Sequence, residues 1–305
     1  MKDIATFQRE ELLNCSKDQF QRIGTQLIQR IVDFNSNIKS HPLTTDKTAL
    51  ELNQLLDAFD LPEEGKDMEQ LMSKTTDLLF QQSLFNGHPG FMGYITSSPN
   101  PMGALADLLA STINANMGAG GLSPIATQIE RQSIQWLAEL IGYDPQTGGI
   151  LVSGGNMANF TAFLAARTAK APLNLKQKGL AGLDKQMIIY CSKATHTWIE
   201  KAAILFGHGL EAIRWIPTSE QNQMDIDALE TIILEDLKAG HQPFLVVGTA
   251  GDVSTGMVDD LETIAAICQN YNLWFHLDGA YGAPAAMLPE LQATFKGLEQ
   301  ADSIA

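Results

Sequence analysis

Residues that could take part in chemistry are concentrated in four short runs, each at or shortly after the end of a mostly apolar segment. The runs are Ser153–Asn156, Thr195–Thr197, Thr249–Gly256 and His276–Tyr281. The last run contains Asp278, which ends a mostly apolar predicted strand and is therefore expected to be largely buried. A buried carboxylate needs a cationic or N–H partner, so Asp278 is either a ligand-binding group or part of a structural ion pair or helix cap. We interpret His276 as a structural residue.

The first run lies between a predicted strand and a predicted helix. It follows the apolar segment Ile150–Val152 and precedes an alanine-rich helical pattern that starts at Met157. A glycine turn in this position exposes unpaired backbone N–H groups that can bind a phosphate. Small residues are needed there because the backbone must approach the anion closely. The same residues are equally compatible with an ordinary strand-to-helix turn.

Strands and helices are predicted to alternate from residue 149 onward. The candidate strands are 149–152, 187–191, 211–215, 244–249 and 273–278, and the candidate helices are 156–169, 196–206, 225–238 and 259–270. Apolar strands separated by helices imply an α/β fold with a mainly parallel sheet covered on both faces. Ligands of such sheets bind beyond the carboxyl ends of the strands, where all four runs are expected to lie.

Residues 1 to about 85 are predicted to be helical, with no strand signal. Apolar residues recur at spacings of three and four from Phe20 to Phe34, and another helix is expected to open at Leu61–Glu64. Such helices should pack on the main domain or on a second subunit. The loop between Phe85 and Pro101 is rich in glycine, proline and aromatic residues, and it is either a site-lining loop or an interdomain connection.

The composition excludes several classes of partner and ligand. A net charge of −15 over 305 residues argues against a nucleic-acid backbone or an anionic membrane as partner. With no apolar signal core and no run of membrane-spanning length, we expect a cytoplasmic protein.

Cys15, Cys191 and Cys268 are expected to be free thiols. No metal-ligand spacing and no Gly-x-x-x-x-Gly-Lys or Gly-x-Gly-x-x-Gly nucleotide loop occurs in the sequence, so we expect no metal site.

Pyridoxal 5'-phosphate (PLP) is the cofactor that would use all four runs together. It requires a phosphate-binding turn, a carboxylate at its pyridine nitrogen, a flat side chain over its ring and a lysine for a Schiff base. The carboxylate keeps the ring nitrogen protonated. The ring can then accept the electron pair left when a bond to the substrate's α-carbon breaks.

The chain resembles the PLP-dependent amino-acid decarboxylases of fold type I (group II), the family of the aromatic-L-amino-acid, histidine and glutamate decarboxylases. The matching runs follow the family order: His88–Tyr94, Leu105–Leu109, Leu122–Glu130, Gly148–Asn156, Leu164–Arg167, Thr195–His196 and Trp274–Tyr281. The resemblance implies a transferase-like large domain, residues 86–305, with a mainly parallel seven-stranded sheet. It also implies a homodimer in which the helical segment 1–85 is swapped between subunits.

The resemblance further implies roles for single residues. Gly154, Gly155 and Asn156 would bind the phosphate, Thr249 and Ala280 would lie against the cofactor, and Tyr94, Ile95, Thr96 and Ser97 would border the amino-acid substrate. His196 would stack on the pyridine ring and Asp278 would pair with the ring nitrogen, which makes these two the implied catalytic residues. The loop 114–122 would reach the neighbouring subunit's site.

Two departures from the family pattern affect the expected function. Family members carry an Asp/Asn-Pro-His-Lys run, whose lysine forms the Schiff base, just after the motif matched by Ala301–Ala305. Residues 1–305 stop before it, and Lys193, Lys201 and Lys296 do not match its position. We therefore expect the chain to be one piece of a longer enzyme, without that lysine and the small C-terminal domain.

The second departure is in the substrate loop. Gly118 and Gly120 stand where members selective for aromatic substrates are bulky, so no aromatic substrate is assigned. The expected activity of the full-length protein is decarboxylation of an L-amino acid to an amine and CO2. The alternatives are aldehyde-forming oxidative deamination, a carbon–sulfur lyase reaction on the same scaffold, or a non-catalytic subunit or fragment if the native chain ends at Ala305.

Overall fold

The computed structural model describes residues 15–56, 63–172 and 175–305. The chain forms two compact units, Met1–Thr112 and Ile113–Ala305. The predicted domain boundary between residues 85 and 86 stays a prediction. None of the described helices is both long enough and apolar enough to cross a membrane.

The first unit is helical in its described part. Its helices are α1 (Lys17–Asn37), α2 (Ala49–Gln54), α3 (Met68–Gln82) and α4 (Pro101–Ile113), the last of which runs to the unit boundary. Helices α1 and α3 pack together through stacked rings of Phe34 and Phe80, whose centroids are 4.3 Å apart, and through an ion pair between Arg30 and Asp77. The Phe20–Phe34 pattern thus lies on a helix, as predicted.

The predicted helix start at Leu61–Glu64 is wrong for the two of these residues that the structure describes. Leu61 and Pro62 lie outside the described residues, and Glu63 and Glu64 are not helical. Helix α3 begins only at Met68, because the Asp67 carboxylate accepts the Gln70 N–H at 2.9 Å and so caps the first turn.

The second unit alternates helices and strands. Its helices are α5 (Pro124–Leu140), α6 (Gly155–Lys170), α7 (Leu175–Lys178), α8 (Trp198–Leu205), α9 (Ile226–Ala239) and α10 (Leu261–Asn270). Its strands are β1 (Met187–Ser192), β2 (Ile213–Ile216), β3 (Gln242–Thr249), β4 (Trp274–Asp278) and β5 (Ser303–Ile304). The strands form one sheet in the order β2-β1-β3-β4-β5, and every pair is parallel. The predicted α/β class is confirmed.

The described residues show five strands, not the seven that the family resemblance implied. Residues 149–152, predicted as a strand, are also not in the sheet. Ile150 and Leu151 are more than half exposed, and the Leu151 N–H donates to the Glu130 carboxylate on α5 at 2.9 Å instead of to a neighbouring strand. The fifth strand, β5, was not predicted as a strand.

Helices cover both faces of the sheet, which explains why its strands are almost wholly buried. On one face Ile188 and Tyr190 of β1 pack with residues of α9 and α10, and on the other Ile189 and Cys191 pack with residues of α6 and α8. Cys191 and Cys268 are buried free thiols, and Cys15 is a half-buried free thiol.

A charged network ties β1 and β2 to α9. The Tyr190 hydroxyl donates to Asp236 Oδ2 at 2.9 Å, and the Arg214 guanidinium binds both carboxylate oxygens, the shorter contact being 2.6 Å. Asp236 is buried, so its charge depends on these donors.

Asp236→Asn should lower the free energy of unfolding by about 2 kcal/mol, because it leaves the Arg214 charge without its counter-charge. The loss is smaller than for a fully buried pair because the Arg214 side chain is 26% exposed. Urea denaturation at pH 7 measures it. Asp227→Asn, an exposed change on the same helix, is the control, and an equal effect of both variants would contradict the prediction.

Candidate functional site

The carboxyl ends of β1, β3 and β4 lie at the same edge of the sheet because these strands are parallel neighbours. The β3–β4 register places Thr249 directly beside Asp278, and the Ala250 N–H donates to the Asp278 backbone carbonyl at 2.9 Å. The loops that follow also meet, since a Cβ on Gly282 would lie only 2.2 Å from the Ala250 carbonyl oxygen. The third and fourth polar runs of the sequence therefore come together.

Asp278 is the last residue of β4 and only 9% exposed. Its Oδ2 accepts a 2.7 Å hydrogen bond from the indole Nε1 of Trp198, the first residue of α8. Its other oxygen, Oδ1, accepts no hydrogen bond from the described residues. A buried carboxylate with one neutral donor and one free oxygen is suited to bind a cationic N–H of a ligand.

A second polar group lies two residues earlier on β4. The fully buried His276 is hydrogen-bonded on both ring nitrogens, from Nδ1 to Ser303 Oγ at 2.9 Å and from Nε2 to Asn159 Oδ1 at 2.7 Å. Burial lowers the pKa of His276 to about 4, although the Asp278 charge acts in the opposite direction. His276 is therefore uncharged at neutral pH.

The glycine turn of the first run forms the N-terminus of α6. Gly154 precedes the helix with a φ of +87°, a conformation that favours glycine, and no side chain caps this helix end. The N–H groups of Gly155 and Asn156 donate no hydrogen bond within the described part of the chain. A Cβ on Gly155 would lie 3.8 Å from the Ala280 Cβ, so the turn adjoins the loop after β4. Free N–H groups at a helix N-terminus can hold an anion.

Two buried hydroxyl groups at this edge have no hydrogen-bond partner among the described residues. They are Oγ1 of Thr195, after β1, and Oγ1 of Thr249, at the end of β3, and both residues are 6% exposed. Buried hydroxyls are normally hydrogen-bonded, so these two are available to a bound ligand or an ordered water. With the free N–H groups on α6 and the Asp278 carboxylate, these residues fit a ligand that carries a phosphate and a basic ring nitrogen.

Asp259 fixes the backbone around Thr249. Its carboxylate accepts the Thr249 N–H at 2.9 Å and the Met224 N–H at 2.7 Å. Burial raises the pKa of Asp259 to about 6, and these two hydrogen bonds counteract part of the increase.

The predicted site residues are distributed over both units of the chain. Gly155, Thr249, Asp278 and Ala280 are connected by the contacts given above. His196 is exposed in the loop before α8, where its Nδ1 accepts the Trp198 N–H at 3.3 Å. The proposed substrate residues belong to the first unit and are exposed: Tyr94, Ile95, Thr96 and Ser97. Their role stays a prediction.

Three residues of the site region were not predicted from the sequence: Trp198, Asn159 and Asp259. Asn159 had a weak signal, because it shares the buried helical face of Phe163 and Ala166 at spacings of four and seven. A polar residue on such a face requires a partner. No sequence pattern shows that Trp198 donates to a carboxylate 80 residues away.

The sequence profile described as the pyridoxal-dependent decarboxylase conserved domain matches residues 50–305. The chain belongs to this family. It is 33% identical over 296 residues to the aromatic-L-amino-acid decarboxylase of Bacillus atrophaeus, covering 96% of this chain and 59% of that protein. It is 34% identical over 257 residues to the glutamate decarboxylase of Drosophila melanogaster, covering 83% of this chain and 49% of that protein.

A solved structure shows the same fold. The crystal structure of mouse CSAD superposes with a TM-score of 0.86 at 27% identity, covering 95% of this chain and 60% of that one. The chain thus spans about half to three fifths of the length of these relatives.

Asp259→Asn should change how stability depends on pH. Because the raised pKa lets the folded protein keep a proton that the unfolded chain releases, the free energy of unfolding should fall as pH rises from about 4 to 6. The Asp259→Asn variant has no carboxyl group to titrate, so its free energy of unfolding does not fall over this range. The difference in the free energy of unfolding, variant minus wild type, should therefore rise by about 3 kcal/mol between pH 4 and pH 7.

Urea denaturation at intervals of pH measures this difference. Asp184→Asn, an exposed change, should give a difference that is constant with pH. If the difference for Asp259→Asn stayed constant or fell as pH rises, burial would not be the main influence on the pKa of Asp259.

Proposed function

We propose that the protein containing this chain decarboxylates an L-amino acid with PLP, releasing the amine and CO2. The observation that carries the proposal is the buried Asp278 carboxylate beside an uncapped helix N-terminus and two unpaired threonine hydroxyls. Family membership supports both the cofactor and the class of reaction.

Each group at the sheet edge has a proposed task. The N–H groups of Gly155 and Asn156 would hold the phosphate, and the Thr249 and Thr195 hydroxyls would donate to the cofactor. Asp278 would hold a proton on the ring nitrogen, and His196, in its exposed loop, would stack on the ring. Bound PLP supplies an electron-accepting ring, so the bond between the α-carbon and the carboxylate can break. The α-carbon would then take up one proton in place of the CO2 that is released.

The family resemblance supports a lysine that binds PLP covalently, and none of Lys193, Lys201 and Lys296 is assigned to that role. Tyr94, Ile95, Thr96 and Ser97 are proposed to border the substrate. The relatives named above act on different amino acids according to their names, so the class of side chain is left to the assay.

The assay uses the full-length protein with PLP and each common L-amino acid, with amine and CO2 quantified together. Stoichiometric amine and CO2 from at least one amino acid is the expected result. An aldehyde with ammonia would assign oxidative deamination instead, and absence of PLP binding would contradict the cofactor assignment.

Asp278→Asn should reduce turnover by about 100-fold or more, because a neutral amide cannot hold the proton on the ring nitrogen. Much of the PLP should stay bound, as measured by its absorbance after desalting. Trp198→Phe keeps the carboxylate and removes one donor, so it should cost less than about tenfold. Near-normal turnover in Asp278→Asn would show that Asp278 is not the partner of the ring nitrogen.

We also propose a homodimer, in which the loop 114–122 reaches the partner's site. Apolar side chains lie exposed along α4 and along α5, among them Leu109 at 63% and Ile125 at 71%. Helix faces that leave several large apolar side chains exposed are typical of protein interfaces.

Sedimentation equilibrium of the full-length protein at micromolar concentration should give twice the mass of one full-length polypeptide. Leu109→Asp should weaken the dimer at least about tenfold, because it would bury an unpaired charge in the interface. Leu237→Asp, a change of an exposed leucine on α9, should leave the dimer intact. A monomeric wild-type protein would contradict the proposal.

A further inference from the structure

Four side chains form one hydrogen-bonded chain through the core behind the candidate site. The Trp274 Nε1–H donates to Ser303 Oγ at 2.8 Å, and Ser303 Oγ contacts His276 Nδ1 at 2.9 Å. His276 Nε2 contacts Asn159 Oδ1 at 2.7 Å. The chain therefore runs from β4 and β5 to the second turn of α6.

The chemistry of the two ends fixes the direction of these bonds. An indole N–H can only donate and an amide oxygen can only accept. His276 must therefore donate from Nε2 to Asn159. Since burial also keeps the ring neutral, its Nδ1 accepts the Ser303 hydroxyl proton. Asn159 thus selects one tautomer of a neutral histidine.

His276 is linked to Asp278 through Trp198. The two residues are separated by one position on β4, so their side chains lie on the same face of the sheet. The Trp198 ring stands edge-on to His276, with centroids 5.6 Å apart and an interplanar angle of 87°, and its N–H donates to Asp278. A neutral His276 places no second charge beside the carboxylate.

Helix α6 is therefore held against β4 and its following loop at two places one turn apart. Gly155 adjoins Ala280, and Asn159 binds His276. Residues four apart lie on the same face of a helix, so these two contacts set where the free N–H groups lie relative to Asp278.

We propose that Asn159 is a positioning residue: through His276 it holds the N-terminal turn of α6 at the separation from Asp278 that one PLP molecule requires. This inference rests on the proposed function, because it assumes that the two groups bind the same molecule. Asn159 itself need not touch the cofactor.

The test compares three ligands on Asn159→Leu in the full-length protein: PLP, pyridoxal without phosphate, and inorganic phosphate. The dissociation constant of PLP should rise about tenfold, the effect of one lost buried hydrogen bond. The dissociation constants of pyridoxal and phosphate should change less than about twofold. Each of these ligands binds at only one of the two groups, so its affinity does not depend on the distance between the start of α6 and Asp278. Thr161→Ala, an exposed change on α6, is the control and should leave all three unchanged.

The outcomes separate positioning from local damage and from failure of the proposed function. The inference would be overturned if the dissociation constant of PLP stayed unchanged in Asn159→Leu. It would also be overturned if the dissociation constant of pyridoxal or of phosphate rose by the same factor as that of PLP. Either result would leave the proposed function intact. No PLP binding by the wild-type protein would overturn both.

A measurement on the wild-type protein keeps the proposal testable if Asn159→Leu does not fold. A neutron density map at pH 7 should show hydrogen on His276 Nε2 and none on Nδ1. Hydrogen on Nδ1, alone or together with Nε2, would overturn the inference, because Asn159 would then not select the tautomer.

Discussion

The hydrogen bond from the Trp198 indole to Asp278 joins the start of α8 to the end of β4 and keeps a carboxylate in a place where few donors reach it. A charge that is 9% exposed is costly unless it is hydrogen-bonded, so the surrounding structure must supply the donor. The parallel sheet does so, because the helix that follows β1 begins at the same edge at which β4 ends. The free Asp278 oxygen is then left for a ligand.

The electrostatics of the site are local. With a net charge of −15, the protein offers no general attraction to an anion such as a phosphate. The proposed attraction for the phosphate comes from the backbone instead, through the uncapped N-terminus of α6 and the glycine conformation at Gly154. Neutral groups surround the carboxylate as well, since His276 is uncharged and Trp198 donates without a charge. Neither His276 nor Trp198 therefore brings a second charge to the Asp278 carboxylate.

Much of the fold and part of the site could be predicted from the sequence. The strands ending at Ser192, Thr249 and Asp278 are apolar runs followed by polar residues, so their positions and the polar ends that form the candidate site were predictable. Residues 149–152 were predicted wrongly because the same apolar pattern occurs in a segment whose N–H is taken by Glu130. The roles of Trp198 and Asn159 depend on partners more than 75 residues away, which local patterns do not encode.

A crystal structure of the full-length protein with bound PLP would test the proposed site. We expect the pyridine nitrogen within hydrogen-bonding distance of an Asp278 carboxylate oxygen. We also expect the phosphate at the N–H groups of Gly155 and Asn156, with the Thr249 hydroxyl paired. A cofactor bound elsewhere, or one whose ring nitrogen faces away from Asp278, would contradict it.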